Sequence, residues 1–380
     1  MDATFSVNYT HRLRVTSDAL APGNDSLLNV MPPAVPGKPA KVQFFIDAAV
    51  AASDPTLLDR VKTYVASHQG RLTMPRPVQL VPGGEDAKNA PRWLEDMLRH
   101  IHDATICRQS YVVVIGGGAV LDCVGFAAAI AHRGVRLVRL PTTTLAQSDS
   151  GVGVKNGING FGKKNYMGSF APPWAVINDD AFLRTLSPRD WRCGFVEAVK
   201  VACIKDRAFF DRIETGVDAI NARDHRIAVP IITDSALWHL RHITGNGDPF
   251  EMTTARPLDF GHWAAHKLEQ MTWFRLRHGE AVAIGIAIDV TYAAMMGLLD
   301  EGAAVRIKET LAALGFDLYD DAMQQVPELL KGLEEFREHL GGRLTVTMLR
   351  AIGAPVDVHE IDANVMGEAI RSLAPQPTRA

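Results

Sequence analysis

The chain is predicted to be an α/β protein, with an N-terminal parallel-sheet domain over residues 1–187 and a mostly α-helical domain over residues 188–380. Short β-branched runs alternate with helical patterns up to Pro188, which indicates a parallel sheet wound with helices. Beyond Pro188 the runs give way to long patterns rich in Ala, Leu and Glu. At 380 residues the chain also exceeds the length over which one core usually keeps growing, so two domains are the default.

Residues 5–15 and 26–30 pattern as an antiparallel hairpin ahead of this alternation. Strands follow at 42–46, ending on Asp47, at 111–115, ending on Gly116-Gly117-Gly118, and at 135–140, ending on Pro141. Helices are expected between them at 57–67 and 91–103. Residues 141–170, packed with Gly, Ser, Thr and Asn, predict a long loop whose embedded lysines suit anion binding, with disorder as the alternative. In the second half, helices are predicted at 198–213, 229–243, 262–271, 281–296, 303–314 and 326–339.

A net charge of −3 with interspersed acids and bases argues against a nucleic-acid or polyanion surface. No run of eighteen uninterrupted apolar residues predicts a membrane span. The start, Met1-Asp2-Ala3-Thr4-Phe5, lacks the basic and apolar pattern of a secretory signal, which predicts a cytoplasmic protein. Cys107, Cys123, Cys193 and Cys203 show no C-x-x-C spacing and are expected to be small core residues rather than thiolate ligands.

Metal chemistry is suggested by His262, His266 and His278. If His262 opens a helix, His266 lies one turn along on the same face, and His278 opens the next apolar helix. Three imidazoles with an open position would make a catalytic zinc site. With thirteen histidines in the chain the spacing alone is weak evidence. Glu197 and Lys200 share one helical face among apolar neighbours, so they are either a surface ion pair or a buried carboxylate that needs a cation.

The turn Gly116-Gly117-Gly118, followed by Asp122, allows a phosphate to approach backbone N–H groups at a helix N-terminus, or serves as a plain structural turn. It is not the G-x-G-x-x-G dinucleotide fingerprint. Asp47 at a strand end could hold a ribose hydroxyl or cap a helix. Pro82-Gly83-Gly84-Glu85, with Lys88, has the composition of a surface turn.

Taken in order, these pieces resemble the 3-dehydroquinate synthase superfamily, the sugar phosphate cyclases. The matching motifs are P-G-G-E-x-x-K at 82–88, G-G-G-x-x-x-D at 116–122, R-G-V-R at 133–136, P-T-T-x-L-A-Q-x-D-S at 141–150, K-x-G-I-N at 155–159, K-N at 164–165, E-A-V-K at 197–200, F-G-H-x-x-x-H at 260–266 and H-G-E-A-V-A-I-G at 278–285. The resemblance implies a Rossmann-like NAD-binding domain followed by a helical metal- and substrate-binding domain. It implies zinc, or cobalt or another divalent ion, held by Glu197, His262 and His278, so that one carboxylate replaces an imidazole and His266 becomes an adjacent substrate or proton-transfer residue. NAD would be held by Asp47, Glu85, Lys88, Gly117, Gly118, Asp122, Thr142, Thr143 and Lys164. Asp149, Lys155, Asn165 and Lys200 would face the sugar phosphate. Arg133 would reach the phosphate of a neighbouring subunit's substrate, which implies a homodimer. The implied activity is that of a carbon–oxygen lyase: transient oxidation, phosphate elimination, re-reduction and aldol closure.

Several positions depart from the dehydroquinate synthase pattern R-x-x-x-N-x-G-H. Arg256 is displaced by one residue and Asp259 replaces the asparagine. An aspartate accepts hydrogen bonds from hydroxyls and repels a carboxylate, favouring an uncharged polyol end over a keto acid. Arg241 and His339 stand where lysines are expected, Lys163 where glycine is, and Ala49 where asparagine is. Asp259 and His339 are similar to the sedoheptulose 7-phosphate cyclases of the 2-epi-5-epi-valiolone synthase branch, which implies a heptulose phosphate substrate. The alternatives are dehydroquinate synthase activity on the heptulosonate phosphate and a metal-dependent polyol dehydrogenase of the glycerol dehydrogenase type.

Overall fold

Seven parallel strands form the centre of the first half of the chain: β1 (Leu13–Thr16), β2 (Ala40–Asp47), β3 (Leu72–Thr73), β4 (Gln79–Val81), β5 (Tyr111–Gly116) and β6 (Arg136–Pro141), with β9 (Ala175–Asp179). The sheet order is β1-β9-β6-β5-β2-β3, with β4 also paired to β2. This is a computed structural model, and it describes residues 1–161, 163–245, 249–250, 257–339 and 343–375. The chain divides into two compact units, Met1–Ser187 and Pro188–Ala380.

Side chains alternate across β2 and β5, and both faces are covered. Phe44, Ile46, Val113 and Ile115 pack into one core cluster. Phe45, Val112 and Val114 enter another, with Val120, Leu121 and Val124 of the helix Gly118–Ile130. Burial on both faces explains why these strands are continuous apolar runs in the sequence.

The predicted N-terminal hairpin does not form. β1 pairs in parallel with β9, Leu13 opposite Val176, and Ser26–Asn29 is a single helical turn. The buried Asp179 at the end of β9 accepts the N–H groups of Asp18 and Ala19 at 2.7 Å, so the chain turns away directly after β1.

The predicted long loop is ordered as well. A π-type turn at Ala146–Ser150 leads into an antiparallel hairpin, β7 (Lys155–Gly160) and β8 (Lys163–Phe170). Its glycines serve strand contact: a Cβ at Gly157 would lie 2.9 Å from the Met167 carbonyl oxygen, and one at Gly168 2.6 Å from that of Asn156. Fully buried Arg139 on β6 gathers the carbonyls of Gly151 (3.0 Å), Gly153 (2.8 Å) and Lys155 (3.0 Å) and the Asn156 side chain (2.7 Å). Pattern alone does not reveal this ordering, because a side chain from a distant strand satisfies the backbone.

In the second unit, the helices Pro188–Lys205, Arg207–Thr215, His225–Gly245, His262–Met271, His278–Met295, Glu301–Ala313 and Val326–His339 follow one another. The single helix predicted at 198–213 is two, because Asp206 caps the second by accepting the Phe209 N–H at 3.1 Å. An antiparallel pair unforeseen in the sequence, β10 (Val346–Ala351) and β11 (Ala354–Val358), precedes the helix Ala363–Ser372. The helix His278–Met295 is buried nearly all round, the pattern of a central core helix. Among the described residues no helix is long and apolar enough to cross a membrane. Cys123, Cys193 and Cys203 are buried as expected, whereas Cys107 is exposed; all four are free.

Candidate metal centre and nucleotide site

Three helices of the second unit bring together Glu197, His262 and His278. Glu197 and Lys200 project from the helix Pro188–Lys205 and are buried. His262 and His278 are the first residues of their helices. One ligand atom from each of Glu197, His262 and His278 lies within 4.8 Å of the others. His278 Nε2 stands 3.6 Å from Glu197 Oε1, and the Lys200 ammonium 2.5 Å from Oε2.

The Glu197 carboxylate is fully buried; Lys200 pairs with Oε2, while Oε1 faces His278 with no hydrogen-bond donor. A buried carboxylate oxygen left without a donor is costly, and a cation seated beside Oε1 would complete it. The imidazoles are arranged to suit. His262 Nδ1 lies 3.1 Å from the Phe260 carbonyl and His278 Nδ1 3.3 Å from Glu269 Oε2, which leaves both Nε2 atoms for an ion. Burial, followed by the neighbouring Lys200, His278 and His266, pushes His262 well below the ordinary imidazole range, so it is neutral and ready to ligate. The donor set of one carboxylate and two imidazoles fits a divalent cation.

His266 is exposed, with its ring centroid 5.5 Å from His262 and 6.0 Å from His278. It forms a second grouping with Glu269 and His278. Asp259 lies half-buried in the short turn Pro257–Asp259 that leads into His262, and His339 ends the helix Val326–His339. Arg241 is exposed, its guanidinium 5.1 Å from the Trp238 ring centre. Ala255 and Arg256 lie outside the described residues.

Gly261 explains how His262 is presented. It adopts φ +77°, and a Cβ there would come within 2.8 Å of the Ile286 nitrogen. At Gly285 a Cβ would approach the Gly261 carbonyl oxygen to 1.9 Å. The two helices therefore touch through backbone. Beside this contact the fully buried Asp289 accepts the Gly261 N–H at 2.9 Å and the Trp263 indole N–H at 2.8 Å; burial pushes its carboxyl up to about 7.

In the first unit the predicted nucleotide residues form a second constellation. β5 ends at Gly116, and a Cβ there would lie 3.1 Å from Asp47 Cβ, while one at Gly118 would lie 2.8 Å from Ser150 Oγ. Asp47 does cap a helix, accepting the Ala49 N–H at 2.8 Å, and it also accepts the Gly117 N–H; burial nonetheless raises its carboxyl above the ordinary range. Buried Lys88 donates to Asp122 and to Asn165, each at 2.7 Å. Asn159 donates to Glu85 at 3.0 Å and to Asn89 at 2.7 Å, and Lys164 is 3.7 Å from Glu85. Asn165, with φ +54°, is thus drawn to Lys88 and gives its N–H to Asn159 at 2.9 Å. Thr143 accepts the Ala146 N–H at 3.0 Å. Thr142 Oγ1 and Ser150 Oγ are buried without a partner, near the N-terminus of the helix Gly118–Ile130, which has no side-chain cap. Orphan hydroxyls at a helix N-terminus suit a phosphate-bearing cofactor. Asp149 is half-buried in the π-type turn, and Lys155 is exposed at the start of β7. Arg133 is exposed, with φ +64°.

The 3-dehydroquinate synthase N-terminal family model matches residues 78–193, and the 3-dehydroquinate synthase C-terminal model residues 194–335. The chain belongs to the 3-dehydroquinate synthase family. Its members are sugar phosphate cyclases. A 3-dehydroquinate synthase from Rhodopseudomonas palustris is 36% identical over 297 residues, covering 74% of this chain and 76% of its own. A 2-epi-5-epi-valiolone synthase from Streptomyces glaucescens is 34% identical over 272 residues, covering 70% and 69%. Among solved structures, the 2-epi-5-epi-valiolone synthase of Streptomyces hygroscopicus subsp. jinggangensis, with NAD+ and Zn2+ bound, superposes with a TM-score of 0.88 at 25% identity, covering 98% of this chain and 99% of that one.

Asn159, Asn89, Glu269 and Asp289 were not assigned roles from sequence. Glu269 had a signal, since it lies seven residues after His262 on the same helical face. So did Asp289, the one charged residue between Glu280 and Asp300.

Proposed function

We propose that this family member is an NAD- and divalent-metal-dependent cyclase that converts a heptulose phosphate, of the sedoheptulose 7-phosphate kind, into a carbocycle with loss of phosphate. The observation that carries the reading is the buried Glu197, with one oxygen unpartnered, grouped with the imidazoles of His262 and His278. When bound, NAD takes up and returns a hydride while the divalent ion polarises the carbinol oxygen. Glu197, His262 and His278 hold that ion, and Glu269 orients His278. Asp47, Glu85, Lys88, Gly117, Gly118, Asp122, Thr142, Thr143 and Lys164 hold the nucleotide. Lys155 and Lys200 offset charge on the departing phosphate, Asp149 and Asn165 orient the sugar, and His266 moves a proton. In a homodimer, Arg133 of one protomer adds to the phosphate contact of its partner.

Asp259 supports the heptulose choice. A carboxylate just ahead of His262 accepts sugar hydroxyls and repels a substrate carboxylate. His339, where a lysine is expected, is the second departure that resembles the sedoheptulose 7-phosphate cyclases. The 36% identity to a dehydroquinate synthase favours the heptulosonate phosphate as second reading. Phosphate release separates them. With NAD and zinc supplied, release from sedoheptulose 7-phosphate is expected to exceed that from the heptulosonate phosphate by at least about tenfold, or ~1.4 kcal/mol in barrier. Release from the acid alone would overturn the heptulose reading. NADH accumulating with product, without phosphate, would mark a polyol dehydrogenase instead.

A further inference from the structure

We infer that Asp289 is a positioning residue for the metal centre, holding the His262 backbone at a fixed place on the helix that begins with His278. The inference rests on the metal reading above. Its two hydrogen bonds, from the Gly261 N–H at 2.9 Å and the Trp263 indole at 2.8 Å, bracket His262 on both sides in the chain. Asp289 is one turn from Gly285 on the same face, and Gly285 is where the Gly261 carbonyl meets the helix at a distance no Cβ permits. Carboxylate and glycine thus make a two-point clamp. The clamp and His278 share the helix His278–Met295, a rigid rod that relates the position of one imidazole to the other.

A carboxyl buried in the apolar stretch that follows Glu280 is expensive, and two neutral N–H donors offset its desolvation only in part. Packing alone would be served better by an apolar residue. The donors it takes are those that orient the chain entering and leaving His262, which assigns the cost to geometry.

The test measures metal affinity on folded, metal-stripped protein by competition with a chromophoric zinc chelator, with the zinc-induced gain in melting temperature as second readout. Asp289→Asn keeps the shape but sets an amide N–H against one of the two donors, the Gly261 N–H or the Trp263 indole N–H. Trp263→Phe removes the indole bond, with some buried ring volume, and leaves the Gly261 bond in place. Zinc affinity is expected to fall about 10- to 100-fold in Asp289→Asn, and less in Trp263→Phe, with the zinc-induced gain in melting temperature shrinking in step. A merely structural residue would lower the melting temperature of stripped and loaded protein alike and leave affinity within twofold, and that result overturns the inference. If Asp289→Asn does not fold, Trp263→Phe decides, and wild-type affinity in it overturns the inference equally. Wild-type protein that binds no zinc would instead defeat the metal reading itself.

Discussion

His262→Ala is expected to lose bound metal and turnover together. His262 is buried, its Nε2 is left open by the Phe260 carbonyl, and burial holds it neutral. Alanine removes a ligand that no other described imidazole replaces, because His266 groups with Glu269 and His278 rather than with Glu197. Polarisation by a divalent ion is worth several kcal/mol, and ~4 kcal/mol is about a thousandfold in rate. Metal content by plasma mass spectrometry and phosphate release on the same preparation check this. A variant that keeps a full equivalent of zinc and wild-type turnover would remove His262 from the ligand set.

Gly285→Ala is expected to be the most destabilising small substitution in the second unit. The added Cβ would lie 1.9 Å from the Gly261 carbonyl oxygen, and both sides of that contact are backbone, so no rotamer change relieves it. Overpacking costs typically 1–3 kcal/mol and more where backbone must move, which for a unit of this length lowers the melting temperature by roughly 2–4 °C per kcal/mol. A drop of at least about 5 °C is expected, with weakened metal uptake because the displaced helix carries His262. Gly367→Ala is the control: its Cβ would meet the tip of the Arg371 side chain at 3.3 Å and Val326 Cγ1 at an ordinary 3.5 Å, and alanine is the better helix former. Equal melting temperatures for the two variants would contradict the close-contact account.

Many of the helices were legible because their signals are local. Residues 91–103, 262–271 and 326–339 show the apolar period, and the helices occupy those bounds. The strands β2, β5 and β6 were legible as apolar runs closed by Asp, Gly or Pro. What was hidden depends on distant partners. β1 is a strand because β9 lies beside it, and the 150–156 segment is ordered because Arg139 reaches it. The break at Asp206 is a cap inside a continuous helical pattern. In the site, the burial of Glu197 followed from its apolar neighbours. The choice between Glu197 and a third imidazole did not follow from spacing, since His262 and His266 share a face in either case.

The central claim is that Glu197, His262 and His278 grip one divalent ion. Anomalous scattering at the zinc edge, from crystals grown with zinc and NAD, tests it most directly. The account predicts a single peak about 2.0–2.2 Å from a Glu197 oxygen and from the Nε2 atoms of His262 and His278. A peak seated instead on His266, Glu269 and His278, with Glu197 bound only to Lys200, would contradict it.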